Sequence, residues 1–274
     1  MNPAVAPDAD DVPPEHALLV VDMKEYSQIP EAEMAPTRAD LDDILSTVFA
    51  QCGIGEIATL DSAVKDRGDG AIFVLPARHA ARLVDPLLDR LRQALDRREQ
   101  TRLASAPSIR LRASVHVGPL EPPKHRGDAA NDACRLVDSG ATRLAMAAAV
   151  DHGLLLASAV SDTVFGRTVR AGRTKTLHPQ HFQQATALVD DKPGFKETCW
   201  LYVPGLVPAI IAPYLTPDSD RPSAGARSSD TQRDAKESSV GEETSPPVRQ
   251  KGRASGKARL VQVGRDYVAG QEQA

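Results

Sequence analysis

Between Ala63 and Leu75 the chain reads Ala-Val-Lys-Asp-Arg-Gly-Asp-Gly-Ala-Ile-Phe-Val-Leu, a charged turn set between apolar runs. Asp69-Gly70 is a strong hairpin signal, because both residue types tolerate the positive φ that tight turns require. The spacing predicts strands over 57–66 and 71–75, and the rest of the chain reads as a scaffold around that pair. Taken by itself, Asp69 is either a turn aspartate in solvent or a ligand. Two further features bear on the choice: a second carboxylate, Asp22, ends the apolar run Ala17–Val21, and Asn131 and Arg135 share a later helix.

Helices and strands alternate around the hairpin. After Asp22 a Pro-bounded loop runs to Pro36. Thr37 is then the expected N-cap of a helix carrying Leu41, Ile44, Leu45, Val48 and Phe49 at helical spacing, ended by Cys52-Gly53. Pro76 opens one long helix to about residue 98, with Leu83, Val84, Leu87, Leu88, Leu91 and Leu95 on one face. Ile109–Val117 alternates apolar with Arg110, Arg112, Ser114 and His116, a half-buried strand. A helix over 127–137 starts with Asp128, whose carboxylate suits the helix dipole. A helix over 142–150, a strand over 154–159, a short helix capped by Ser161-Asp162, and strands over 185–189 and 198–203 complete the pattern. This order implies an α+β sandwich with a mixed or antiparallel sheet.

With 41% apolar and only 4% aromatic residues, the core must be mostly aliphatic. A net charge of −4 argues against a dedicated nucleic-acid binder, which would show a basic face. Cys52, Cys134 and Cys199 share no metal-ligand spacing and suit a reducing cytoplasm. No signal segment opens the sequence, and the apolar stretch 206–215 is too short and Pro-interrupted to span a bilayer. The expected organisation is a disordered segment 1–15, a folded domain 16–205, a disordered Pro/Ser-rich linker 206–257, and a strand-like peptide within 258–274. Residues 258–268 are either an inconsequential tail or a strand added to a protein partner's sheet.

Asp22 and Asp69 each stand where a strand meets a turn, and paired carboxylates suit hard cations such as Mg²⁺. Four segments resemble the class III nucleotidyl cyclase family. Leu18-Leu19-Val20-Val21-Asp22-Met23-Lys24-Glu25-Tyr26-Ser27 is similar to its first metal motif, and Lys65–Leu75 to its Lys-x-x-Gly-Asp hairpin. His116-Val117-Gly118-Pro119 is similar to its His-x-Gly strand end. Gly127-Asp128-Ala129-Ala130-Asn131-Asp132-Ala133-Cys134-Arg135-Leu136 is similar to its Gly-x-x-x-Asn-x-Ala-x-Arg-Leu helix. The order and spacing agree over about 16–204, and the hairpin resembles a small actinobacterial group of such proteins.

The resemblance implies a ferredoxin-like βαββαβ core with extra C-terminal strands and helix. It implies two Mg²⁺ or Mn²⁺ ions per site on Asp22 and Asp69, with Asn131 orienting the ribose and Arg135 stabilising charge on the reacting phosphate. A guanidinium fork matches phosphate oxygens, and fixed positive charge helps most where negative charge develops. Lys65 matches the lysine that reads the base, and Lys196 or Lys192 the lysine that touches the triphosphate. The implied partners are a nucleoside triphosphate and a second copy of the chain in a head-to-tail homodimer with two sites, one copy giving the aspartates and the other Asn131 and Arg135. The implied reaction is attack of the ribose 3′-OH on the α-phosphate, releasing pyrophosphate. Lys124 stands where a base-selecting residue is usual, so the base preference is open. Glu25-Tyr26 replaces the usual Gly-Phe, and His116 reads as a strand histidine. The alternative is a cyclase-like binding or scaffold module without turnover, acting in signalling through its tail.

Overall fold

A computed structural model describes residues 11–55, 58–59, 69–121, 125–190, 192 and 194–216. Lys65, Lys124, most of the first hairpin strand and the peptide 258–268 lie outside the described residues.

Seven strands form one sheet among the described residues: β1 (Glu15–Met23), β2 (Ala58–Thr59), β3 (Gly70–Pro76), β4 (Leu111–Pro119), β5 (Leu156–Ser161), β6 (Gln183–Leu188) and β7 (Lys196–Tyr202). Their spatial order is β2-β3-β1-β4-β5-β7-β6. The first four, with α1 (Glu31–Gln51), α2 (Ala80–Val84) and α3 (Leu87–Thr101) between them, make the expected ferredoxin-like βαββαβ core, antiparallel throughout. β5 joins β4 in parallel, after a crossover through α4 (Asp128–Asp138) and α5 (Gly140–Asp151). β7 and β6 then add antiparallel, after α6 (Asp162–Phe165).

β1 lies between two layers. Ala17, Leu19, Val21 and Met23 join the core that α1, α2 and α3 cover, whereas Leu18 and Val20 pack with Ile72, Val74, Ala129, Ala133 and Val137 beneath α4. Burial on both faces explains why β1 is a continuous apolar run rather than an alternating one. Because side chains alternate along a strand, Asp22 falls on the α4 face with Leu18 and Val20. It lies inside the strand, paired with Gly70 on one side and Arg112 on the other.

Several expected boundaries are corrected. Thr37 does not cap α1: the helix starts at Glu31 after Pro30, and Thr37 is buried within it. The long helix expected from Pro76 is broken. A 3-10 turn over Ala77–His79 and α2 precede Asp85, which is extended, and α3 restarts after Pro86, whose ring nitrogen has no hydrogen to donate. The Asp85 carboxylate, buried at the break, accepts N–H bonds from Lys175 and Thr176 at 2.6 Å each and from Leu177 at 3.3 Å, and the Thr176 hydroxyl at 2.9 Å.

At the other end, residues 208–215 are not linker. They form α7 (Pro208–Leu215), and Ile211 is fully buried in an aliphatic cluster with residues of α5, β5 and β7. Pro208 occupies the first helical position, where a missing N–H costs little. Nor is 1–15 wholly outside the fold: Glu15 opens β1 and forms an ion pair with Arg167. Among the described residues no helix is long and apolar enough to cross a membrane.

Candidate active site

The ladder between β1 and β3 brings the two aspartates together. Asp22 is paired with Gly70, and the carbonyl of Asp69 accepts the N–H of Met23 at 2.8 Å. The two aspartates therefore sit at the same end of the sheet, Asp22 within β1 and Asp69 just before β3. Gly70 is required there: a Cβ on it would meet the Val21 carbonyl oxygen at 2.8 Å, nearer than real Cβ atoms come. Arg38 of α1 donates to the Gly70 carbonyl at 2.8 Å and bonds Asp42 one turn on, tying the strand start to the helix.

Asp22 and Asp69 line one cavity of about 200 Å³, whose opposite wall is the α4 surface carrying Asn131, Cys134 and Asp138. Helix α4 is fixed against the sheet at short range. The Ser114 hydroxyl donates to the Ala133 carbonyl at 2.7 Å, and Gly118 leaves room for Ala129, whose Cβ would lie 2.7 Å from an added Cβ. Asn131 is exposed at the cavity, whereas Ala130 and Ala133, one and two positions away on α4, are buried.

Charge in the cavity is unevenly compensated. Burial pushes the Asp22 carboxyl above the usual carboxylate range, the Arg112 guanidinium works against this, and the nearby charges of Asp69 and Asp138 add to it. Arg112 donates from Nε to Asp22 Oδ2 at 3.0 Å and from Nη2 to the same oxygen. By contrast, Asp69 Oδ1 is buried and has no hydrogen-bond partner among the described residues. A buried carboxylate oxygen without a donor is costly in an apolar setting and suits a hard cation. The donor set, carboxylate oxygens only, likewise suits Mg²⁺ or Mn²⁺. Among the described residues no three His, Cys, Asp or Glu side chains come close enough to hold a metal between them.

The other candidate residues lie apart from this cavity. Arg135 turns back along its helix to Asp132 at 3.0 Å, with its guanidinium 5.6 Å from the centre of the Phe195 ring. Asp132 lines a second cavity of about 220 Å³ on the other flank of α4, together with His116, Ser161 and Glu197. Burial holds the His116 imidazole below its usual pKa, partly opposed by Asp132. Lys196 is exposed at the start of β7 opposite Leu188, and Lys192 is exposed before it. Neither lysine lines the aspartate cavity. Sequence reasoning missed Arg112 and Asp138. The alternation in β4 put Arg112 on the polar side, but only the β1–β4 register sets it against Asp22.

No protein-family model matches the chain, and no curated protein does. Among solved structures it is similar to an adenylate/guanylate cyclase/hydrolase from Silicibacter pomeroyi. The identity is 20%, over 70% of this chain and 98% of that one, with a TM-score of 0.48. It is similar to the dimeric guanylyl cyclase domain of the RhoGC fusion protein from Blastocladiella emersonii at 14% identity, over 69% and 96% of the two chains, with a TM-score of 0.42. A third is the catalytic core of a rhodopsin-guanylyl cyclase with converted specificity, in complex with ATPαS: 15% identity, 70% and 97% covered, TM-score 0.42. In each of these comparisons, what the chain is similar to is an adenylate or guanylate cyclase protein.

Proposed function

We propose that this chain is a class III nucleotidyl cyclase that converts a nucleoside triphosphate to a 3′,5′-cyclic nucleotide and pyrophosphate in a head-to-tail homodimer. The observation that carries the reading is the convergence of Asp22 and Asp69 on one cavity, with Asp69 Oδ1 buried and without a hydrogen-bond partner among the described residues. The four motifs in family order, 18–27, 65–75, 116–119 and 127–136, support it from the sequence.

In this reading Asp22 and Asp69 would hold two divalent cations through carboxylate oxygens. The bound ions would supply positive charge at the attacking and leaving oxygens of the displacement. Asn131 would accept and donate hydrogen bonds to the ribose and hold its 3′-OH in line with the α-phosphate. Arg135 would stabilise the charge that grows on that phosphate. That Arg135 does not line its own chain's aspartate cavity supports the reading that a second copy of the chain supplies this charge.

The test is turnover by purified protein with Mg²⁺ or Mn²⁺ and each of the four triphosphates. A cyclic product that Asp69→Ala abolishes is expected. Mixing the inactive Asp69→Ala and Arg135→Ala chains should restore roughly a quarter of the activity, because half of randomly paired dimers are mixed and one of their two sites is intact. Nucleotide binding without product from any triphosphate would favour the scaffold reading instead.

A further inference from the structure

Arg112 faces Asp22 directly across the β1–β4 ladder, and both side chains are largely buried, 14% and 11% exposed. Its two donors, Nε and Nη2, converge on the same oxygen, Oδ2. The fork leaves the other oxygen, Oδ1, outside this clamp. Across the β1–β3 pairing, Asp69 Oδ1 is buried without a hydrogen-bond partner among the described residues. The cavity thus has one carboxylate clamped on a single oxygen beside another that lacks a donor.

We propose that Arg112 is a positioning residue for a divalent cation: by fixing Asp22 through Oδ2 it presents Oδ1, together with Asp69 Oδ1, to the ion. The inference rests on the reading of Asp22 and Asp69 as cation ligands and adds a residue that this reading does not contain. Carboxylates that bind metals are themselves hydrogen-bonded, and those outer partners set ligand orientation. The guanidinium suits this role because its planar fork delivers two fixed donors, whereas a lysine ammonium is a point charge on a flexible stem. An opposing effect exists, since a guanidinium repels a nearby dication. The geometry favours orientation: both donors engage one oxygen of a carboxylate with little solvent around it, so loss of the fork frees the carboxylate to rotate away from the ion.

The experiment is Mn²⁺ titration of the full chain, following free Mn²⁺ by electron paramagnetic resonance, with melting of the metal-free protein as a parallel measurement. Arg112→Gln is expected to weaken Mn²⁺ binding by roughly 10- to 100-fold. Arg112→Lys, which keeps the charge and removes the fork, is expected to weaken it by a similar factor, and it supplies the answer if the glutamine variant does not fold. Wild-type affinity in Arg112→Lys would overturn the proposal in favour of charge alone. Tighter binding in Arg112→Gln would overturn it in favour of repulsion. A fall in melting temperature with unchanged Mn²⁺ affinity would reduce Arg112 to a structural ion pair and also overturn it. Asp69→Asn separates this inference from its premise: if that variant binds Mn²⁺ like wild type, the cation-site reading itself fails.

Discussion

Gly70 offers the sharpest test of how closely the two aspartates are held. In Gly70→Ala the new Cβ would stand 2.8 Å from the Val21 carbonyl oxygen, a backbone atom that cannot swing aside. Reaching ordinary contact requires the β1–β3 pair to part by about 0.6 Å, at the rung that carries Asp22 and adjoins Asp69. Overpacking of this kind costs about 1–3 kcal/mol. Alanine recovers about 0.5–1 kcal/mol by restricting the unfolded chain, which leaves a net loss of about 1–2 kcal/mol. For a domain of this size that is a fall in melting temperature of roughly 2–8 °C. The effect on function should be larger in proportion, because a misplacement near 1 Å can cost about 100-fold in rate, so a loss of roughly tenfold or more is expected. Urea denaturation, Mn²⁺ titration and product formation would be measured on the same preparation. Gly55→Ala serves as the control, since a Cβ there meets nothing within 4 Å. An unchanged urea midpoint together with unchanged Mn²⁺ affinity in Gly70→Ala would refute the reasoning.

Other substitutions probe the scaffold. Asp85→Ala removes the acceptor for three backbone N–H groups and should cost about 3 kcal/mol or more in urea denaturation. Burial pushes the Asp85 carboxyl up, but the bonds from Thr176, Leu177 and Lys175 outweigh it and hold the group below the usual range. Its contribution is therefore present above the unfolded value of about 3.9 and lost as pH falls through the folded one. The urea midpoint of Asp85→Asn should accordingly vary less with pH than that of wild type below about pH 4. Gly118→Ala would press on the Ala129 Cβ at 2.7 Å and lift the start of α4. A loss of about 1–3 kcal/mol is expected, with weaker nucleotide binding through the displaced Asn131.

The strand and helix order was legible because it rests on periodicity: the apolar spacing of α1 and α3 survives in the structure, whereas the polar side of β4, expected half-buried, is covered, with Ser114 fully buried against α4. Where reading failed, a local signal was outweighed. Thr37 looks like a cap, yet the helix reaches back to Glu31 even though Pro36, in its second turn, lacks the N–H that would bond the Ala32 carbonyl. The run 77–98 has one apolar face, but Pro86 breaks it, and the Asp85 carboxylate gains bonds from a segment about ninety residues later that no local pattern reveals. Residues 206–215 are too short to span a membrane and, from the sequence alone, read as linker. Their helix exists because Ile211 finds a cluster built from other elements. At the site, residue types and order pointed to Asp22, Asp69 and Asn131; these line one cavity of the same chain, whereas the resemblance implies that Asn131 acts with Arg135 at the aspartates of a second copy. The clamp on Asp22 was not legible, since it depends on a register between strands ninety residues apart.

The central claim is that Asp22 and Asp69 share a cation site. The most direct measurement is an anomalous difference map from crystals of the full chain grown with Mn²⁺ and a non-hydrolysable triphosphate analogue. The account predicts a manganese peak bridging the two carboxylates, about 2.1 Å from Asp69 Oδ1. Nucleotide bound in the structure with manganese elsewhere, or with Asp69 Oδ1 still unpartnered, would contradict it.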